Sequence, residues 1–400
     1  MFIAKRPFSR LLLLVLLLAT FSLTACSRGA TAQNWPGLST DGENLYVAYG
    51  SGVLGLEAAS QDLLWSFKPE SATLFFYAPP SVKDGRAVIG DFGAAQGLFS
   101  PQIVVSIYAL DVTGSTAKTE WTRNDLASDR IVAAPLQVGD VVYVATADNQ
   151  LLALDAESGN DLWHFTAEFS IWAQPTYYEG TLFVASLDRH LYALNAEDGT
   201  QKWSAELSGA MSAQPIVNPD ENLVYAASYD REVHALDMDT GEEVWSVPAS
   251  DWVWSAPALA DGTLYVGDSS GNVFAIDAAS GEVLWESGVH TMDVVAGANQ
   301  NPPAQIKGAI QASPVVKDGV VYVASLGNEQ SEEGLMVAMD AATGEEMWQA
   351  TTPAPLFSTP AIVGDVIVVA MQSEVGILQA YNLETGELEW SYLPPELVSE

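Results

Sequence analysis

Cysteine is almost absent from this chain, since Cys26 is the only one among 400 residues. A single cysteine excludes an internal disulfide, a catalytic dithiol and a thiolate metal cluster. Basic residues are also scarce: 15 Lys and Arg stand against 51 Asp and Glu, for a net charge of −36. Binding to a phosphate backbone requires the opposite sign of charge, so the composition excludes a nucleic-acid partner.

Histidine is scarce as well, with four in the whole chain. His164, His190 and His234 occupy positions of an internal repeat whose equivalents are not histidine, and His290 lies in an irregular insertion. No two of them have metal-ligand spacing, so the sequence predicts no metal site. Nucleophile elbows, phosphate loops and zinc-protease motifs are also missing, and we therefore predict no catalytic residue.

No hydrophobic run is long enough for a transmembrane helix, which needs ~20 apolar residues. The longest, residues 11–21, follows Lys5, Arg6 and Arg10 and precedes Leu23-Thr24-Ala25-Cys26, which resembles the lipobox of bacterial lipoproteins. We predict a signal peptide over residues 1–25, lipidation of Cys26 and a short lipidated linker over 26–34. The protein is then extracytoplasmic and anchored by lipid to a bacterial membrane, the outer one if the organism has one.

What the chain does have is a repeated phrase that ends in tryptophan. Most copies read Asp or Asn, three residues, Gly, three residues, Trp. In the first copy Gln61 replaces the glycine, and the copy from Asp111 to Trp121 carries two extra residues. The tryptophans of the eight copies are Trp65, Trp121, Trp163, Trp203, Trp245, Trp285, Trp348 and Trp390.

Each repeat contains four short β-rich segments separated by Gly, Asp and Asn turns, and it opens with a small residue, any residue and Pro. A period of about 40–45 residues with four strands per unit is typical of a propeller blade. We predict an all-β protein, an eight-bladed β-propeller with four-stranded antiparallel blades over residues 35–393, followed by a tail over 394–400. The eight tryptophans are predicted to pack between adjacent blades, and Gln61 predicts a strained or remodelled turn in blade one.

The repeated phrase resembles the tryptophan-docking motif of the PQQ-like (quinoprotein-type) β-propeller repeat family. The stretch from Ala338 to Trp348 matches that motif throughout. The resemblance implies one of two branches: dehydrogenases that use pyrroloquinoline quinone (PQQ), or cofactor-free proteins such as the BamB-like lipoprotein branch. The first implies a vicinal cysteine pair and a Ca²⁺ site of carboxylate and Asn ligands. Neither can be placed in this chain, which disfavours PQQ with calcium and favours no cofactor.

Aromatic residues that stand outside the repeated phrase indicate a binding surface. The position three residues before each first-strand proline should lie at the mouth of the central channel, and it is often aromatic. With one neighbour, the candidate rim for a partner or ligand is Phe76, Trp172, Trp252, Trp254 and Phe357. The same residues would serve inter-blade packing if they were buried, and this alternative stays open. Insertions over 90–102, 288–307 and 326–334 also interrupt the repeat.

These observations predict a non-enzymatic, monomeric, lipid-anchored scaffold that binds protein partners, with a BamB-like role in outer-membrane protein assembly in a cell that has an outer membrane. The alternative is a propeller that binds a quinone or another small ligand, as an enzyme or a sensor. The lining of the central channel distinguishes the two, because a quinone site needs convergent carboxylates, an Asn and an Arg beneath a stacking Trp.

Overall fold

The structure, a computed structural model, describes residues 36–69, 74–95, 103–287, 306–327 and 333–394. These residues form 34 β-strands and no α-helix. No helix able to cross a membrane therefore occurs in these ranges. The predicted signal peptide, Cys26 and the linker to residue 34 lie outside the described residues.

Blades one to four each contain four antiparallel strands. Blade one consists of β1 (Gly37–Thr40), β2 (Asn44–Tyr49), β3 (Gly52–Glu57) and β4 (Leu63–Phe67). Blade two consists of β5 (Ser81–Lys83), β6 (Arg86–Gly90), β9 (Ile107–Asp111) and β10 (Lys118–Arg123), with a separate two-stranded hairpin of β7 (Ala94–Ala95) and β8 (Ile103–Val104). Blade three consists of β11 (Leu136–Val138), β12 (Val141–Ala145), β13 (Gln150–Asp155) and β14 (Asp161–Thr166). Blade four consists of β15 (Thr176–Tyr178), β16 (Thr181–Ala185), β17 (His190–Asn195) and β18 (Gln201–Glu206).

Blades five to eight repeat this order. Blade five consists of β19 (Ile216–Asn218), β20 (Leu223–Ala227), β21 (Glu232–Asp237) and β22 (Glu243–Pro248). Blade six consists of β23 (Ala258–Ala260), β24 (Thr263–Gly267), β25 (Val273–Asp277) and β26 (Val283–Glu286). Blade seven consists of β27 (Val315–Lys317), β28 (Val320–Ser325), β29 (Gly334–Asp340) and β30 (Glu346–Thr352). Blade eight consists of β31 (Ala361–Val363), β32 (Val366–Ala370), β33 (Leu378–Asn382) and β34 (Leu388–Tyr392). The predicted eight-bladed propeller is confirmed.

The hydrophobic core is divided into eight clusters, and each cluster lies between two adjacent blades. The two middle strands of a blade are covered on both faces, as in β12, where Val142 to Ala145 are all buried. Burial on both faces explains why these strands read as continuous apolar runs rather than as alternating ones. The outer strand has one solvated side, so β14 alternates between half-buried and exposed residues.

The repeated phrase joins each blade to the next one. In six blades the tryptophan indole N–H donates to a backbone carbonyl of the following blade, as Trp121 does to Ala156 over 3.0 Å. The glycine of that following blade lies against the same ring: a Cβ on Gly159 would lie 2.6 Å from Cδ2 of Trp121. Gly159 also has a φ of 69°, which favours glycine. Glycine is thus required both by the turn and by the tryptophan of the preceding blade.

Gln61 occupies this glycine position in blade one without changing the turn. Its φ is 60°, and its N–H donates to the Glu57 carbonyl over 2.9 Å, as the glycine N–H groups do in other blades. Its side-chain amide donates to the carbonyls of Ala58 and Ala59 at 3.1 and 3.0 Å. The turn is therefore strained and is not remodelled, since a non-glycine residue in this backbone conformation carries an energetic cost.

The ring closes through packing between blades one and eight. Each of these blades takes all four strands from its own end of the described chain, so no strand is exchanged. Leu45, Val47 and Leu56 pack in one cluster with Val368 and Leu378. The Ser358 hydroxyl also donates to the Pro36 carbonyl across this boundary. Closure thus uses the same apolar contacts as the other seven boundaries.

Candidate functional site

One end of the propeller carries both the connections between blades and the turns between the second and third strands of each blade. We call this end the connection face; its segments include residues 167–175, 249–257 and the turn 228–232. Backbone hydrogen bonds tie the two kinds of segment together, as from Leu187 to Ser170 over 2.9 Å. The three insertions leave and rejoin the blades at this face, although residues 96–102, 288–305 and 328–332 lie outside the described part.

Large apolar side chains are exposed on the connection face. Trp172 is 37% exposed and Trp252 is 48% exposed, and Phe75 and Phe169 are exposed as well. Two of the five predicted rim residues therefore present much of their surface to solvent. Exposed aromatic side chains of this size are typical of interaction surfaces.

Tyr229 organises part of this face, which the sequence pattern did not indicate. Its ring lies 4.6 Å from that of Trp254 and 6.3 Å from that of Trp252. Its hydroxyl donates to Ser212 over 2.7 Å, and burial raises the pKa of Tyr229 to about 12. Trp254 is half-buried and packs against Tyr229, so it offers less free surface than Trp252 does.

The rim assignment of Phe76 is wrong. Phe76 is 0% exposed, and its ring packs at 6.1 Å against Tyr108. Its N–H donates to the Gly50 carbonyl, as the N–H of the buried Ile171 does to Thr146 in a later blade. The wrong assignment came from the Pro79-Pro80 pair. Because β5 begins directly after Pro80, Pro80 and not Pro79 is equivalent to the first-strand proline of the other blades.

The residue of blade two that matches Trp172 is accordingly Tyr77, which is buried and lies 4.4 Å from Phe92. The last predicted rim residue, Phe357, is half-buried. The neighbours Ile171 and Met211 are fully buried and belong to the inter-blade core. Of the five predicted rim residues, Trp172 and Trp252 are thus the exposed ones.

Buried polar side chains hold the turns of the connection face. Asp91 is fully buried and accepts hydrogen bonds from the N–H groups of Gly93 and Ser106 and from the Tyr108 hydroxyl. Burial raises the pKa of Asp91 despite these bonds. In five of the other blades the equivalent position is also a buried polar residue: Thr146, Ser186, Ser228, Asp268 and Ser325. They bond to the same turns or to the adjoining connections between blades, as the Ser186 hydroxyl does to the Phe169 carbonyl over 3.2 Å, which indicates a structural role.

The central channel holds a cavity of about 450 Å³ whose lining is neutral. Its polar side chains include Gln174, Gln214, Ser313 and Thr359, and no carboxylate or basic residue belongs to the described lining. These side chains form hydrogen bonds from one blade to another: Gln174 donates to the Pro135 carbonyl and Gln214 donates to the Thr176 hydroxyl. Calcium in proteins is held mainly by carboxylates. The described lining therefore does not fit PQQ with Ca²⁺.

A second polar cluster lies in blade five, around His234. This imidazole is 3% exposed, with Nδ1 2.8 Å from Glu243 and Nε2 3.2 Å from Asp230. Glu232 lies 4.0 Å from Nε2. His234 lies, as the repeat predicts, at the strand position that Tyr192 and Phe274 occupy in the neighbouring blades. The sequence did not predict that three carboxylates converge on its ring.

Eight four-stranded blades whose tryptophans dock onto the next blade define a PQQ-like β-propeller. A family described as outer membrane protein assembly factor BamB matches residues 95–171, 168–325 and 294–398. Because these matches extend over most of the chain, the chain belongs to this family.

Individual relatives are similar over shorter stretches. BamB of Shewanella oneidensis is 32% identical over 136 residues, which is 34% of this chain and 31% of that protein. Quinohemoprotein alcohol dehydrogenase ADH IIB of Pseudomonas putida is 32% identical over 153 residues, 34% of this chain and 20% of that enzyme. The chain thus spans less than a third of the length of these relatives.

Solved structures extend the likeness to most of the propeller. BamB from Moraxella catarrhalis has a TM-score of 0.64 at 18% identity, covering 83% of this chain and 92% of that one. A europium-containing methanol dehydrogenase also has a TM-score of 0.64, at 15% identity and with 83% of each chain covered. At such identities the likeness establishes the fold alone.

Proposed function

We propose that this protein is a non-enzymatic propeller scaffold that binds a protein partner through its connection face and takes part in outer-membrane protein assembly. The observation that carries the proposal is the exposure of Trp172 and Trp252 on that face. The tryptophans of the repeated phrase are held between blades, whereas these two lie outside the phrase and keep much of their surface in solvent. Tryptophan is enriched among the residues that dominate binding energy in protein interfaces.

Membership of the BamB family supports the assembly role. The experiment that tests it is a crosslinking pull-down from isolated membranes of cells that express the chain at native level. A component of the outer-membrane protein assembly machinery should be recovered with it. Recovery of no such component, in cells that possess an outer membrane, would contradict the role.

The proposal includes a lipid anchor at Cys26, on the strength of the Leu23-Thr24-Ala25-Cys26 motif. Several acyl chains bind a membrane far more firmly than one. Replacing Cys26 by Ser removes the thiol that would carry the lipid. We therefore expect the wild-type chain to incorporate a labelled fatty acid and C26S to incorporate none. Equal labelling of the two proteins would contradict the anchor.

The alternative function, binding of a quinone cofactor, has support from the similarity to quinohemoprotein alcohol dehydrogenase. The neutral lining of the channel disfavours it, because Gln, Ser and Thr side chains there are engaged between blades. We expect PQQ with Ca²⁺ to leave the melting temperature unchanged. A ligand present at 100 times its Kd would add about 2.7 kcal/mol to the stability of the native state, so a clear upward shift would favour the quinone instead.

A further inference from the structure

The chemistry of His234 differs from that of its counterparts in neighbouring blades. In blade four the same position holds Tyr192, whose hydroxyl donates to Asp188 over 2.7 Å. One donor there meets one acceptor. In blade six the position holds Phe274, which makes no polar demand. His234 brings two ring nitrogens into this buried slot, and both of them face carboxylates.

The hydrogen-bonding capacity of the ring leaves one of these contacts without a proton. A neutral imidazole carries one N–H and one lone pair. If Nδ1–H donates to Glu243 over 2.8 Å, the lone pair of Nε2 points towards Asp230 at 3.2 Å and Glu232 at 4.0 Å. The lone pair of the neutral Nε2 and the two carboxylates on that side are all acceptors. Because the side chains of His234 and Asp230 are only 4% and 10% exposed, a cation between them would stabilise this arrangement.

No basic side chain supplies that cation in the described structure. Arg231, which lies between Asp230 and Glu232 in the chain, is directed towards Asp251 at 3.9 Å. A metal ion or an additional proton on Nε2 is the remaining source of positive charge.

The distances suit a small divalent ion. Asp230, Glu232 and His234 offer ligand atoms that all lie within 4.8 Å of one another. Bonds of about 2.0 Å to a tetrahedral Zn²⁺ place ligand atoms about 3.3 Å apart. The 3.2 Å separation of His234 Nε2 and Asp230 Oδ2 already satisfies this requirement. The Glu232 side chain is 41% exposed and has the freedom to close its longer distance.

Glu243 completes the pattern from the other side of the ring. Metal-binding histidines usually donate their second N–H to a carboxylate, which fixes the tautomer and orients the ring. The 2.8 Å contact between His234 Nδ1 and Glu243 Oε2 has this geometry. The orientation of the ring, the distances between ligand atoms and the lack of a basic side chain in the described structure therefore all favour a metal ion at Nε2.

We propose that Nε2 of His234, together with the carboxylates of Asp230 and Glu232, binds a divalent transition-metal ion, with Glu243 as the outer carboxylate that orients the ring. Mixed imidazole and carboxylate ligands suit Zn²⁺. The ion would tie the turn between β20 and β21 to the strand that follows it, next to Tyr229 and the exposed Trp252 on the connection face.

The test is titration of the tag-free, chelator-treated full chain with Zn²⁺ in a calorimeter. We expect one saturable site in the wild-type protein and its loss in H234F, which introduces the residue that blade six has at this position. E243Q should weaken Zn²⁺ binding 10–100-fold, as is typical for an outer carboxylate. E232Q changes a partly exposed ligand and provides a second test should H234F fold poorly.

The control is H190Q, because His190 lies 3.4 Å from Asp188 at the turn of blade four and, among the described residues, pairs with no second carboxylate. Zn²⁺ binding should be unchanged in H190Q. The absorption spectrum of the Co²⁺-loaded protein should show a nitrogen-containing site that disappears in H234F. Zn²⁺ binding that survives in H234F would overturn the proposal, as would the absence of a saturable site together with a His234-dependent change of stability with pH, which would identify the cation as a proton.

Discussion

Replacing Trp121 by alanine is expected to lower the free energy of unfolding by about 3–5 kcal/mol, the usual cost of removing a buried tryptophan. Trp121 is buried between blades two and three, and its indole N–H donates to the Ala156 carbonyl. The variant loses the packing of the ring and leaves that carbonyl without its donor. The measurement is chemical denaturation followed by circular dichroism, with W252A as the control. Because Trp252 is exposed, W252A should change stability by less than about 0.5 kcal/mol.

The contact between Trp121 and Gly159 sharpens this experiment. In the wild-type background G159A meets both an unfavourable φ of 69° and a clash with the tryptophan ring. In the W121A background only the backbone cost of about 1–2 kcal/mol should remain. The two substitutions should therefore be less destabilising together than the sum of their separate effects. Additive effects, or a cost of W121A below about 1 kcal/mol, would show that the tryptophan does not hold the blades together.

Removing Trp172 and Trp252 together should weaken partner binding by about 30-fold or more, since a single interface tryptophan often contributes 2 kcal/mol or more. Both side chains are exposed, so W172A/W252A should retain the wild-type melting temperature. The measurement is the affinity for the partner recovered by crosslinking. Trp254 is a poorer target, because it packs against Tyr229 and its loss would disturb the face itself.

The matched control is L162A/V244A, which removes two exposed apolar side chains of similar accessibility from the outer strands of blades three and five. This pair should bind the partner as the wild-type protein does. If the outer-strand variant loses binding while W172A/W252A keeps it, the partner binds at the circumference of the propeller and not at the connection face.

The fold was predictable because its main determinant is periodic. Every blade repeats the same four-strand pattern, so one correct reading of the unit applies eight times. The sequence-based assignment was wrong where a local departure shifted the repeat by one residue. The Pro79-Pro80 pair moved the assumed start of blade two, and Phe76 was assigned to the rim when it belongs to the buried core. Trp172 and Trp252 lie outside the repeated phrase, and their exposure became clear only from the packed blades.

The sequence by itself determined the blade count, the four-stranded unit and the family resemblance, because these depend on residue type at fixed spacing. Tertiary structure alone decided which blade each glycine serves: Gly159 lies four residues before Trp163 in the chain, yet it packs against Trp121 of the preceding blade. It alone showed that blades one and eight close the ring without exchanging a strand, and that Glu243 meets the ring of His234. These contacts depend on how blades and strands are placed beside one another, and spacing along a chain carries no information about that placement.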